Sequence, residues 1–121
     1  MANILIVDDS ASMRQMISFT LKQAGLHTVK ESFDGQHGLQ AVQSERFDLI
    51  ITDMNMPNMN GMEFSKAVRA RSDYKFVPIL VLTTESNPEL KQQGRETGVT
   101  GWIVKPFNPD QLVKVVQKVL S

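Results

Sequence analysis

The chain contains no cysteine, which excludes a disulfide framework, a thiolate metal site and a cysteine nucleophile together, and is compatible with a reducing compartment. It also lacks any apolar run approaching the ~20 residues that a helix needs to cross a bilayer. Met1-Ala2-Asn3 leads directly into "ILIV", with no basic leader-like segment. The expectation is a soluble, cytoplasmic protein with no membrane partner. An excess of charge of either sign is missing as well: 13 Lys and Arg stand against 13 Asp and Glu. Nucleic acid therefore has no electrostatic footprint to bind. The densest basic stretch, Lys66, Arg69, Arg71 and Lys75, follows helical spacing and reads as a solvated face. His27 and His37, the two histidines, have no second ligand at helical or hairpin spacing and read as structural or surface residues.

What is present fits one domain. A chain of 121 residues is long enough for a single core that buries roughly two-thirds of the unfolded surface. Four short apolar runs, Asn3 to Val7, Asp48 to Thr52, Val77 to Leu82 and Gly101 to Val104, read as strands, and His27 to Glu31 is a weaker fifth. Their near-continuous Ile, Leu and Val content predicts strands covered on both faces, as in a parallel sheet. Between them lie helical patterns. Met13, Met16, Ile17 and Leu21 mark a helix from about Ala11 to Ala24, with Gly25 as its stop. A second follows Asp34 with Leu39 and Val42, and a third carries Phe64, Ala67 and Val68 after Gly61. The last helix has the stripe Leu112, Val115, Val116, Val119 behind an Asn108-Pro109 start. The fourth, from Asn87-Pro88, has only Leu90 as a large apolar anchor and Gly94 in its middle, which predicts marginal stability. Strand and helix in alternation describe a single open, doubly wound α/β domain, whose ligands bind outside the carboxyl ends of the strands.

Those ends carry the chemistry. The first strand ends in Asp8-Asp9, the third in Asp53, the fourth in Thr83-Thr84, and the fifth in Lys105 before Pro106. Carboxylates so close oppose one another's ionisation unless a cation neutralises them. An all-oxygen donor set points to a hard ion, Mg²⁺ first with Mn²⁺ able to substitute, which typically takes one or two carboxylates plus phosphate oxygens. A carboxylate beside such an ion can attack phosphorus to give an aspartyl phosphate. Asp53, ending the central strand, is the candidate nucleophile; Asp8-Asp9 are the metal-holding pair, Lys105 a point charge and Thr83 a hydrogen-bond donor. The loop after Asp53 holds Met54, Met56, Met59 and Met62, read as adaptable packing or a partner surface.

The segments "ILIVDDS" (Ile4 to Ser10), "DMNMPNMNGMEF" (Asp53 to Phe64), "VLTTES" (Val81 to Ser86) and "KPF" (Lys105 to Phe107), in this order and spacing, resemble the receiver domain of two-component response regulators from end to end. Within that family the chain is most similar to the stand-alone chemotaxis regulators. The resemblance implies a flavodoxin-like fold of five parallel strands in the order 2-1-3-4-5 with five helices. It implies that a histidine kinase of the chemotaxis type phosphorylates Asp53, that Asp9 ligates Mg²⁺ directly and Asp8 through water, and that the Asn55 main-chain carbonyl completes the protein's ligands. Thr83 would contact the phosphoryl oxygens, Lys105 would pair with them, and the Lys105-Pro106 bond would be cis. Trp102 stands where the family usually has Tyr or Phe as an inward-turning switch. Thr84 stands where a small residue is common, next to the path of water to the phosphate.

The expected function is a phosphorylation switch that is not an enzyme toward other molecules. With 1–121 as one receiver domain and no output domain, such a switch signals as a monomer through its own surface. Its expected partners are the kinase, a downstream protein such as the flagellar motor switch, and a dedicated phosphatase. A phosphorelay intermediate remains open. An Mg²⁺-dependent phosphatase would ordinarily carry D-x-D after the first strand, where Asp8-Asp9 are adjacent. A flavin module would need a Ser/Thr/Gly-rich loop in the place of "DDSAS".

Overall fold

A computed structural model describes residues 2–25, 27–84 and 87–121. Glu85 and Ser86, which close the Val81–Ser86 motif, lie outside the described residues, as does the side chain of His27. The elements run β1 (Ala2–Val7), α1 (Ala11–Gln23), β2 (His27–Ser32), α2 (Gly35–Ser44), β3 (Leu49–Asp53) and α3 (Gly61–Arg69). They continue through a single 3-10 turn, Ser72–Tyr74, to β4 (Ile79–Thr83), α4 (Pro88–Thr97), β5 (Gly101–Val104) and α5 (Pro109–Leu120). The five strands form one parallel sheet in the order β2-β1-β3-β4-β5, which is the expected topology.

Each helix starts in the same way. Ser10, Asp34, Asn60, Asn87 and Asn108 sit in extended backbone, and each side chain accepts the N–H three residues on, that of Met13, His37, Glu63, Leu90 or Gln111. A short polar side chain in that place satisfies one of the N–H groups a helix start leaves unpaired. The Glu63 carboxylate returns a bond to the Asn60 N–H and completes a reciprocal pair. Gly25, in the left-handed region at φ +92°, stops α1 as its sequence position predicts.

The side-chain period of two divides the sheet into two faces. Leu5, Val7, Ile50 and Ile79 pack with Val42, Phe47, Phe64, Val68 and Tyr74 beneath α2 and α3. Ile4, Ile6, Leu49, Ile51, Leu80, Leu82 and Ile103 pack with Ile17, Leu21, Leu112 and Val116 beneath α1 and α5. Every residue of β3 and β4 is buried, which is why these strands read as unbroken apolar runs rather than alternating ones.

Three details depart from the sequence reading. Met16, placed on the buried stripe of α1, is 53% exposed and lies beside Phe19 on the face turned toward α5. Arg69 is not part of a solvated face. Its guanidinium donates to the main-chain carbonyls of Tyr74 (2.7 Å), Val77 (2.5 Å) and Gly98 (2.9 and 3.0 Å). Arg71 from the same stretch pairs with Asp73 at 3.1 Å, while Lys66 and Lys75 are exposed as expected. The 3-10 turn was not foreseen; it buries Tyr74, whose hydroxyl donates to the Glu45 carbonyl (2.8 Å) and accepts the Phe47 N–H (3.0 Å).

Candidate functional site

The chain reverses direction across the sheet between β1 and β3, so the crevice at their carboxyl ends is where a ligand is expected. Pairing of Val7 with Thr52 brings Asp8 and Asp53, the next residue on each strand, to one level. Pairing of Asp53 with Leu82 and of Thr83 with Val104 extends that level to Thr83 and Lys105. Main-chain bonds carry the ladder one step past the strands, from Asp8 N–H to Ser32, Met54 N–H to Leu82 and Lys105 N–H to Thr83. Asp8, Asp53, Thr83 and Lys105 are therefore mounted on or directly beside the sheet, which holds them more rigidly than a loop would, whereas Asp9 and Asn55 lie in the loops beyond it.

Lys105 Nζ donates to Asp53 Oδ1 at 2.7 Å and lies 3.8 Å from Asp8 Oδ2. Asp8, Asp53 and Thr83 are buried, at 1%, 6% and 1% exposure, whereas Asp9 and Thr84 are exposed. Asp8 Oδ1 accepts the Ser10 N–H at 2.9 Å, but Asp8 Oδ2 is buried without a hydrogen bond among the described residues. Burial pushes the Asp8 carboxyl up to about 6; the Ser10 N–H and Lys105 oppose this, and the charges of Asp53 and Asp9 add to it. One oxygen from each of Asp8, Asp9 and Asp53 lies within 4.8 Å of the others. An orphaned carboxylate oxygen among three acidic groups and one ammonium is a site short of positive charge. The all-oxygen donor set fits a hard divalent ion.

The structure therefore brings Asp8, Asp9, Asp53, Thr83 and Lys105 together. Ser10 caps α1 through its side chain (3.3 Å to the Met13 N–H) while its main chain serves Asp8, so capping and site roles coexist. Asn55 is exposed two residues past Asp53. The Lys105-Pro106 bond is cis, as the resemblance implied. Gly61 is where the returning loop meets the strand it left: its N–H donates to Met54 O at 2.8 Å, and a Cβ there would stand 2.4 Å from the Asp53 carbonyl. Met54 and Met56 are buried, and Met59 lies against Gly35 at the start of α2, so these methionines pack the loop. His37 stacks on Phe33 with ring centroids 4.3 Å apart and is not part of the acidic group.

Trp102 sits apart from the acidic groups. It is half-buried on β5 with its indole against Gly94 of α4, where a Cβ would come within 2.4 Å of Cζ2. The glycine read as a weakness of α4 is the space that the indole occupies. Arg14 was missed altogether: its Nη1 donates to the Asp8 carbonyl at 2.6 Å and its Nε to Glu31 Oε1 at 3.2 Å. A main-chain carbonyl has no signature in sequence, so nothing in the pattern around Arg14 could have marked it.

The sequence profile of the response regulator receiver domain matches residues 4–117. The chemotaxis protein CheY of Pseudomonas aeruginosa is 37% identical over 118 residues, 98% of this chain and 95% of that protein. A CheY homolog of Campylobacter jejuni is 40% identical over 122 residues, 98% of this chain and 92% of that one. Among solved structures, the chemotaxis protein CheY4 of Vibrio cholerae superposes with a TM-score of 0.95 at 57% identity over 99% of both chains.

Proposed function

The chain belongs to the response regulator receiver domain family and is a CheY-like regulator within it, and from that premise we propose that it is a phosphorylation switch with Asp53 as the acceptor. The observation that carries the reading is the buried group at the β1–β3 crevice, where Lys105 joins Asp53 to an Asp8 whose Oδ2 has no hydrogen bond among the described residues.

Mg²⁺ held by Asp8, Asp9 and Asp53, with the Asn55 carbonyl, would neutralise charge on the phosphoryl oxygens. The chain's own groups do the rest. An Asp53 carboxylate oxygen forms the new bond to phosphorus as the phosphohistidine P–N bond breaks, and the histidine leaves with its electron pair and takes up a proton. Lys105, already 2.7 Å from Asp53, supplies a fixed positive charge beside the transferring group, and the Thr83 hydroxyl donates to a phosphoryl oxygen. Water attacking the same phosphorus later releases inorganic phosphate and restores the carboxylate, so the protein processes only its own phosphate. Trp102 and α4 would carry the change of state outward, where a partner that prefers one arrangement shifts the population. The names of the relatives favour chemotaxis, hence a chemotaxis histidine kinase upstream and a downstream target such as the flagellar motor switch.

Incubation with acetyl phosphate and Mg²⁺ should add the mass of one phosphoryl group, mapped to Asp53 and absent in Asp53→Asn. Failure of the wild type to gain that mass would overturn the reading. Protons compete with the metal for Asp8, so Mg²⁺ affinity should fall as pH drops through about 6; calorimetric titration at pH 7.5 and 5.5 checks this.

A further inference from the structure

Asp9 is exposed, and among the described residues no group gives its carboxylate a hydrogen bond. Its direction is therefore set by the main chain, above all by the peptide unit that joins it to Asp8. The oxygen of that unit is the one Arg14 grips: Nη1 donates to the Asp8 carbonyl at 2.6 Å, while Nε is anchored to Glu31 Oε1 at 3.2 Å, at the end of β2. Arg14 is in turn fixed by its own N–H, which donates to the Ser10 carbonyl at 3.0 Å in the first turn of α1. The Arg14 side chain is 17% exposed, so the guanidinium lies between two elements rather than in solvent. Its planar fork can serve a carbonyl and a carboxylate at once, which an ammonium on a single stem cannot do in the same geometry.

We propose that Arg14, braced by Glu31, is a positioning residue for divalent-metal binding, orienting the Asp8–Asp9 peptide so that both carboxylates face the ion. This rests on the Mg²⁺ reading of the site given above. The proposal has a definite sign, because Arg14 has two opposed effects. As a cation near three carboxylates it repels the metal, so its charge alone predicts that removing it tightens Mg²⁺ binding. As a brace it predicts the reverse, and partners of this kind are typically worth 10–100-fold in metal affinity.

Calorimetric Mg²⁺ titration of the full chain separates the two. Arg14→Met, which keeps most of the side-chain bulk, should weaken Mg²⁺ binding about tenfold, and Arg14→Lys, which keeps the charge but loses the fork, should fall between it and the wild type. At saturating Mg²⁺ both variants should be phosphorylated by acetyl phosphate at the wild-type rate, a recovery that a general structural defect would not allow. Unchanged or tighter binding by Arg14→Met overturns the proposal; if that variant does not fold, wild-type affinity in Arg14→Lys does so instead. If the wild type itself binds no Mg²⁺, the metal reading of the site fails, a result distinct from failure of the brace.

Discussion

Helices α4 and α5 begin alike and end up differently anchored. Each opens on Asn-Pro, and each asparagine caps its helix, Asn87 at 2.8 Å from the Leu90 N–H and Asn108 at 3.2 Å from the Gln111 N–H. Beyond that start, α5 buries Leu112 and Val116 and packs Val115, Val119 and Leu120 against the sheet. The one buried residue of α4 is Gly94. Start signals decide where a helix begins, whereas the apolar area it removes from water decides how firmly it stays. If the protein switches as proposed, the weakly anchored α4 is the helix better suited to move and α5 the one that keeps the core.

The contrast makes quantitative predictions. Leu112→Ala, which empties a fully buried site, should cost about 3 kcal/mol in denaturant unfolding; a cost as small as that of a surface substitution would mean α5 is no better anchored than α4. Gly94→Ala comes next. In an exposed helix this change gains about 1 kcal/mol, but here the new Cβ would overlap the Trp102 ring, and overpacking costs about 1–3 kcal/mol. A net loss together with shifted tryptophan emission is expected in the wild type, and a gain in a Trp102→Ala background; the same sign in both would refute the socket. Asn87→Ala and Asn108→Ala should each cost about 1 kcal/mol, and clearly unequal values would show that the two starts are not equivalent. Leu90→Ala, at a half-buried position, should have the smallest effect, under about 1 kcal/mol in the same unfolding experiment.

Why some of this was legible in the sequence and some was not follows from where the partners lie. Asp8, Asp53 and Thr83 were found because a polar residue ending an unbroken apolar run is itself a sequence feature, and a parallel sheet brings such ends together. The five helix starts were readable to different degrees, and the Asn-Pro pairs most clearly. Arg14 and Arg69 were invisible because they act on main-chain carbonyls, whose position depends on the finished fold. Gly94 was seen as a weak point of α4, but not as the place against which Trp102 of the following strand, eight residues later, packs. Tyr74 escaped because its value lies in one hydroxyl that joins Glu45 and Phe47 across the base of the domain.

The grip of Arg69 on the Gly98 carbonyl has a mechanical meaning. Both Nε and Nη2 hold that one oxygen, while Nη1 ties the same guanidinium to the segment leading into β4. The carboxyl end of α4 is thus bolted to the frame, while its amino end starts five residues beyond Thr83. With that end held, any movement of α4 would be largest at the other. A displacement of its amino end would therefore fall off along the helix toward Gly98, with the indole of Trp102 against its middle.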